Sequence, residues 1–122
     1  MASFTLTYVN LGAPDPRLLA SFYARLLDWP VERDDPGFVL VRNPAGGVGL
    51  ACQQEIHHQP PMWPAGPGAQ QMQAHLEVRV DNLAAAVKHA LDCGATLAAF
   101  QPQDNVRVCL DPAGHPFCLY LD

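Results

Sequence analysis

The chain has 122 residues, 49% of them apolar, with seven basic residues against twelve acidic ones and a formal net charge of -5. That length suits a single folded domain, the apolar content excludes a disordered chain, and the acidic balance argues against nucleic acid, whose binding needs clustered Lys and Arg. It favours a cationic ligand over an anionic one. No run approaches the roughly 18 consecutive apolar residues of a membrane span, and residues 1–7 carry no basic segment, so a cytoplasmic protein without membrane contact is expected. Cys52, Cys93, Cys109 and Cys118 form no Cys-x-x-Cys pair and no metal-finger spacing. In a reducing compartment they read as small core hydrophobes, with a further role left open for Cys118.

Residues 4–11 are predicted to form a strand, with Phe4, Leu6 and Tyr8 on one face and Thr5, Thr7 and Val9 on the other. Asp15 then caps a helix over 15–27, with Pro16 at its first position and Leu18, Leu19, Phe22, Tyr23, Leu26 and Leu27 as its apolar stripe. Pro30 ends it. Short strands are expected over 31–33, 38–42 and 48–53, separated by the turn sequences Asp34-Asp35-Pro36-Gly37 and Asn43-Pro44-Ala45-Gly46-Gly47. Residues of about 56–72 break the pattern, because Pro60, Pro61, Pro64 and Pro67 cannot lie in a central strand or a helix interior. This segment is read as a connector. A strand over 73–80, a helix over 82–93 capped by Asp81 and closed by Gly94, and strands over 96–98, 106–110 and 116–121 follow.

The second half repeats the first. Asn43-Pro44-Ala45-Gly46 returns as Asp111-Pro112-Ala113-Gly114, and the helix opening Asp15-Pro16-Arg17-Leu18 has its counterpart in Asp81-Asn82-Leu83-Ala84 at nearly the same offset. Each copy reads βαβββ. The first spans about 3–55 and the second about 73–122, within one domain of residues 1–122; neither is large enough to be stable alone, so a shared core and a ligand site between the copies are expected.

Tandem βαβββ units with a His at the start of the fifth strand and an Asp-Pro-x-Gly-His turn before the last resemble the vicinal oxygen chelate superfamily, the family of glyoxalase I, bleomycin resistance proteins and extradiol dioxygenases. The resemblance covers essentially the whole chain. It is carried by residues 15–29, by Pro60-Pro61-Met62-Trp63-Pro64, by His75-Leu76-Glu77-Val78-Arg79-Val80-Asp81, and by residues 108–118. These look more like the small glyoxalase-like branch than like glyoxalase I. The resemblance implies an α+β fold in which the tandem modules form a curved, cup-like eight-stranded mixed sheet with helices outside and a ligand cavity inside. It also implies a homodimer, since such proteins often build cavities from two chains.

Strand alternation then selects the residues that face the cup. In the fifth strand these are Gln73, His75, Glu77 and Arg79, and in the last Cys118 and Tyr120. By the same reasoning Thr5, Thr7 and Val9 of the first strand, and Val48, Leu50, Cys52 and Gln54 of the fourth, face it too. Trp63 is placed at the rim, as a plug or as an anchor for the connector.

Metal-dependent members of the family carry one ligand on each of strands one, four, five and eight. The resemblance maps these onto Val9 (or Tyr8, one residue earlier), Leu50, His75 and Cys118, of which His75 alone matches. Val9 and Leu50 cannot ligate a hard divalent ion. No cofactor is therefore expected; the alternative is a divalent metal, Zn, Ni, Fe or Mn, held through His75, with Glu55, His57 and His58 as residues that could complete it if the connector folded back. His75 is the best catalytic candidate, as a base near neutral pH, although no nucleophile or oxyanion arrangement stands beside it. A thiolate pair of Cys118 with His75 is a further alternative. The favoured function is a glyoxalase-like or bleomycin-resistance-like protein binding a small aromatic or cationic ligand without metal. The rivals are a metal-dependent lyase, isomerase or dioxygenase of the same family, and an accessory module with no small ligand.

Overall fold

Two βαβββ modules account for the chain, and each has its last strand lying parallel beside its first. The structure, a computed structural model, describes residues 2–122 and divides them into one unit ending at His58 and another running from Gln59 to Asp122. The fold is α+β. Its eight strands form two four-stranded mixed sheets, each with one helix.

In the first unit β1 (Tyr8–Ala13) leads to α1 (Pro16–Leu27), followed by β2 (Val31–Asp35), β3 (Phe38–Val41) and β4 (Gly49–Gln54) in the sheet order β1-β4-β3-β2. Asp15 caps α1 by accepting from the Leu18 amide at 3.1 Å, and Pro16 occupies the first turn, where a missing N–H costs nothing. The helix buries Pro16, Leu19, Ala20, Phe22 and Tyr23. It stops at Asp28, which adopts a left-handed backbone (φ 55°) two residues before Pro30.

The first strand begins later than its composition suggests. β4 starts at Gly49, opposite Tyr8, and among the described residues before Tyr8 the Thr7 carbonyl alone finds a ladder partner, the Gly49 amide at 2.9 Å. With no strand to pair against, Phe4 and Leu6 stand 94% and 73% exposed.

In the second unit β5 (Leu76–Arg79), α2 (Leu83–Cys93), β6 (Thr96–Leu97), β7 (Val106–Leu110) and β8 (Pro116–Tyr120) adopt the equivalent order β5-β8-β7-β6. β5 is shorter than the expected strand because Leu76 pairs with Phe117, and the residue before it in β8, Pro116, has no N–H to extend the ladder back to His75. The cap of α2 is Asn82 rather than Asp81. Asn82 has the extended backbone a cap needs and accepts from the Ala85 amide at 3.0 Å, whereas Asp81 stands one residue too early. Gly94 closes α2 in the left-handed region, as its position predicts.

The repeated tetrapeptide is one turn built twice. In each copy the glycine amide returns to the first residue's carbonyl, at 3.0 Å for Gly46 to Asn43 and 2.9 Å for Gly114 to Asp111. In each copy the alanine amide donates to the first side chain's Oδ1 at 2.9 Å. Gly46 and Gly114 have nearly equal positive φ, 86° and 85°.

The proline-rich segment is more than a connector. Its greater part belongs to the second unit. Met62 bridges Gln71 and its amide donates to the Gln70 carbonyl, closing a loop over residues 62–71. Pro60 lies so close to the 111–114 turn that a Cβ on Gly114 would come within 2.7 Å of the proline Cβ.

Candidate functional site

A parallel pair of strands sets the geometry of the site. Register puts Glu77 beside Cys118 and Arg79 beside Tyr120, so these four side chains share one face of the second sheet. Leu76, Val78, Phe117 and Leu119 take the other. His75, just before β5, falls on the Glu77 side, and its Nε2 stands 2.8 Å from a Glu77 carboxylate oxygen. The His75 side chain is 22% exposed and that of Glu77 52%. Cys118 is buried.

Trp63 covers His75. The two rings have centroids 4.6 Å apart and are tilted by 33°, while Phe100 meets the indole edge-on at 5.4 Å. Such offset and edge contacts are the arrangement that aromatic quadrupoles prefer. The Pro-rich loop and the segment after β6 thus bring two aromatic rings to a histidine that alternation had already selected. Phe100 escaped the sequence reading; the signal for it was an isolated large aromatic among Ala98, Ala99 and Gln101, where no strand or helix called for one.

The Cys118 thiol is pushed up to about 11, chiefly by burial and then by the negative charge of Glu77. Both causes favour the neutral thiol and work against an activated thiolate paired with His75. His75, Glu77 and Cys118 nevertheless place one ligating atom each within 4.8 Å of one another, the one such group among the described residues. Glu77 was missing from the ligand set drawn from family positions. His57, His58 and Glu55 are outside this group. His57 and Glu55 are exposed, Glu55 accepting from the Gln53 amide group at 3.2 Å.

The remaining selected residues are more dispersed. Gln73 is exposed ahead of β5, and Arg79 contacts Asp122 at 3.3 Å. Arg79 also borders a groove of about 920 Å³ with Asp81, Asn82 and Ala85, at the opposite end of β5 from His75.

Val9 and Leu50 lie on the helix side of the first sheet. Leu50 and Cys52 pair with the buried Val41 and Val39, and that face carries Asp34, which accepts from Arg17 of α1 at 2.8 Å. Val9 is in register with Leu50. The assignment of Val9, Leu50 and Cys52 to the ligand-facing side is thus corrected by one residue: Tyr8, Asn10, Ala51 and Gln53 occupy the opposite face. These strands read ambiguously because both faces of β4 are apolar from Gly49 to Cys52, which removes the alternation that would fix the register. The corrected β1 and β4 positions offer amides and a phenol, with neither an imidazole nor a carboxylate. Tyr8 donates to Glu32 at 2.5 Å, and that bond, with burial and the Glu32 charge behind it, raises the phenol above its usual range. The four-strand metal set of the family does not fit this chain.

Comparison with known proteins agrees with the architecture. The crystal structure of a glyoxalase/bleomycin resistance protein/dioxygenase family enzyme from Burkholderia phytofirmans PsJN matches with a TM-score of 0.72 at 19% identity, over 97% of this chain and 98% of that one. TnmS3, an antibiotic binding protein from Streptomyces sp. CB03234, matches with a TM-score of 0.64 at 17% identity, over 99% and 98%. A glyoxalase-related enzyme from Fulvimarina pelagi gives 0.68 at 16% identity, over 97% and 88%. At these identities the likeness is one of fold. No curated protein matches the chain. No helix among the described residues is long and apolar enough to cross a membrane. The model of the glyoxalase-like domain matches residues 8–120, nearly the whole length, and the chain belongs to that family, within the vicinal oxygen chelate superfamily.

Proposed function

We propose that this protein binds a small aromatic or cationic organic molecule at the Trp63, His75 and Phe100 cluster, without using the metal chemistry of the family's enzymes. The observation that carries this reading is the adjacency of stacked rings and a half-exposed carboxylate: Trp63 and Phe100 offer π surface, and Glu77, beside His75, offers a negative charge. A flat cation satisfies both. The net charge of -5 favours its approach. An antibiotic binding protein of the same fold gives a binding role a precedent.

The test is a titration of the full chain with a panel of planar cations and their neutral isosteres, read by tryptophan fluorescence and by thermal shift. A ligand at 100 times its Kd should add about 2.7 kcal/mol to stability. Trp63→Ala should abolish the shift, and Glu77→Gln should weaken cations while sparing neutral aromatics. A panel that leaves both readouts unmoved, or binding that survives Trp63→Ala unchanged, refutes the reading. A homodimer in the cytoplasm belongs to the same proposal, supported by the exposed Phe4 and Leu6 next to the edge strand β1. A monomer by light scattering at micromolar concentration refutes the dimer.

A further inference from the structure

The second module holds a ligand set that the family's four-strand pattern does not contain. We propose that His75 Nε2, a Glu77 carboxylate oxygen and Cys118 Sγ form a binding site for a thiophilic divalent ion such as zinc, wholly within β5, β8 and the residue that precedes β5. Two of these residues stand where the family places ligands, but the third does not, and no residue of the first module takes part.

The geometry is close to what such an ion needs. The three ligating atoms lie within 4.8 Å of one another, and with bonds of about 2.0 Å to nitrogen or oxygen and 2.3 Å to sulfur at tetrahedral angles, ligands of one zinc ion stand about 3.3–3.5 Å apart. Side-chain rotations that draw the farthest of these atoms together by about 1 Å close the difference. The register that fixes Glu77 beside Cys118 is backbone pairing, and the ring of Trp63 holds His75 in place, so the set is largely preformed. One nitrogen, one oxygen and one sulfur leave a fourth position open, on the side where Glu77 is half-exposed. The sulfur selects against magnesium, calcium and manganese. On binding, the Cys118 S–H bond breaks, its proton leaves to water, and the sulfur pair coordinates the ion. His75 contributes the lone pair of Nε2, so the proton that Nε2 donates to the Glu77 carboxylate in the free protein leaves it for solvent, and the neutral ring carries its proton on Nδ1.

This inference goes beyond the organic ligand and does not depend on it, since the ion alone is the probe. Because both need Glu77, however, the ion and a cationic ligand should exclude one another.

The experiment uses the full chain, reduced and stripped with a chelator, titrated with cobalt(II) and then back-titrated with zinc. One cobalt per chain should bind with a thiolate-to-cobalt charge-transfer band, which zinc displaces. Cys118→Ser should remove the band, and Glu77→Gln and His75→Ala should each weaken zinc at least about tenfold. Glu77 is exposed enough that its amide variant should fold even if Cys118→Ser does not. Cys93→Ser, which removes the other thiol beside an imidazole, that of His89 at 3.7 Å, should leave the band intact. Absence of a charge-transfer band in the wild-type protein, a band lost in Cys93→Ser, or zinc affinity unchanged in Glu77→Gln overturns the site. None of these outcomes bears on whether a planar cation binds, so the two proposals fail separately.

Discussion

In the first module α1 buries Pro16, Leu19, Ala20, Phe22 and Tyr23, whereas in the second α2 buries Ala90 and Cys93. Large side chains therefore weld the first helix to its sheet. The second module relies on the sheet itself, where Val108, Cys109, Phe117, Cys118 and Leu119 are all buried, and on the loop that lays Trp63 over His75. The faces away from the helices differ as well. The first carries a ladder of two amides and a carboxylate, Asn10 to Gln53 at 3.0 Å and Gln53 to Glu55 at 3.2 Å, while the second sets an imidazole and a thiol beside its carboxylate. The two copies of one plan thus differ: large helix side chains are buried in one, and the group of imidazole, carboxylate and thiol lies in the other.

The comparison can be broken most directly at the helices. Phe22→Ala, at a fully buried ring, should cost about 3–5 kcal/mol, whereas Leu83→Ala, at a half-buried position on α2, should cost less than half as much. Urea unfolding of the two variants measures this. Equal losses would mean that α2 is as firmly seated as α1.

The duplicated turns give a smaller contrast. Asp111 is buried and its Oδ1 accepts from two amides, Ala113 at 2.9 Å and His115 at 3.0 Å; Asn43 Oδ1 accepts from the Ala45 amide, and its Nδ2 donates a longer bond to the Val48 carbonyl at 3.3 Å. Asp111→Ala should cost about 2–3 kcal/mol and Asn43→Ala about 1 kcal/mol, because a buried carboxylate acceptor leaves two amides unsatisfied when it goes. Chemical denaturation again ranks them. A reversed order would show that the turn of the first module is the more heavily used.

The smallest effect vanishes at neutral pH. Burial pushes the thiols of Cys109 and Cys118 up to about 11, against 9.0 for an ordinary thiol. The unfolded chain therefore loses these protons first, and stability that is complete below about pH 9 should fall as pH rises toward 11. A Cys109→Ala, Cys118→Ala double variant should show a flatter profile of melting temperature against pH over that range. Parallel profiles would mean that neither thiol is protected by the fold.

Much of this was legible in the chain because the relevant signals are local. Asp15 with Pro16, the stripe from Leu19 to Tyr23, Gly94, and the tetrapeptide turns each act within a few residues, and the structure forms helices and turns where they stand. In β5 and β8 one face is clearly apolar or the strand is anchored by a turn, so His75, Glu77 and Cys118 could be assigned together to one face. In β4 the run Gly49 to Cys52 is apolar on both faces, and alternation there carries no register.

Sequence alone was enough for the duplicated βαβββ order, the two helices to within one residue at the start of the second, the family, and the residue types available for chemistry. Tertiary structure decided which of those residues meet. The late start of β1 followed from where β4 offers a partner, and the short β5 from a proline across the ladder. The loop that brings Trp63 onto His75 is closed by the bridge from Met62 to Gln71, and the arrival of Phe100 depends on a segment with no periodicity at all. Strand pairing and loop closure join residues tens of positions apart, and their free energy depends on the partner's backbone rather than on any pattern within the segment itself.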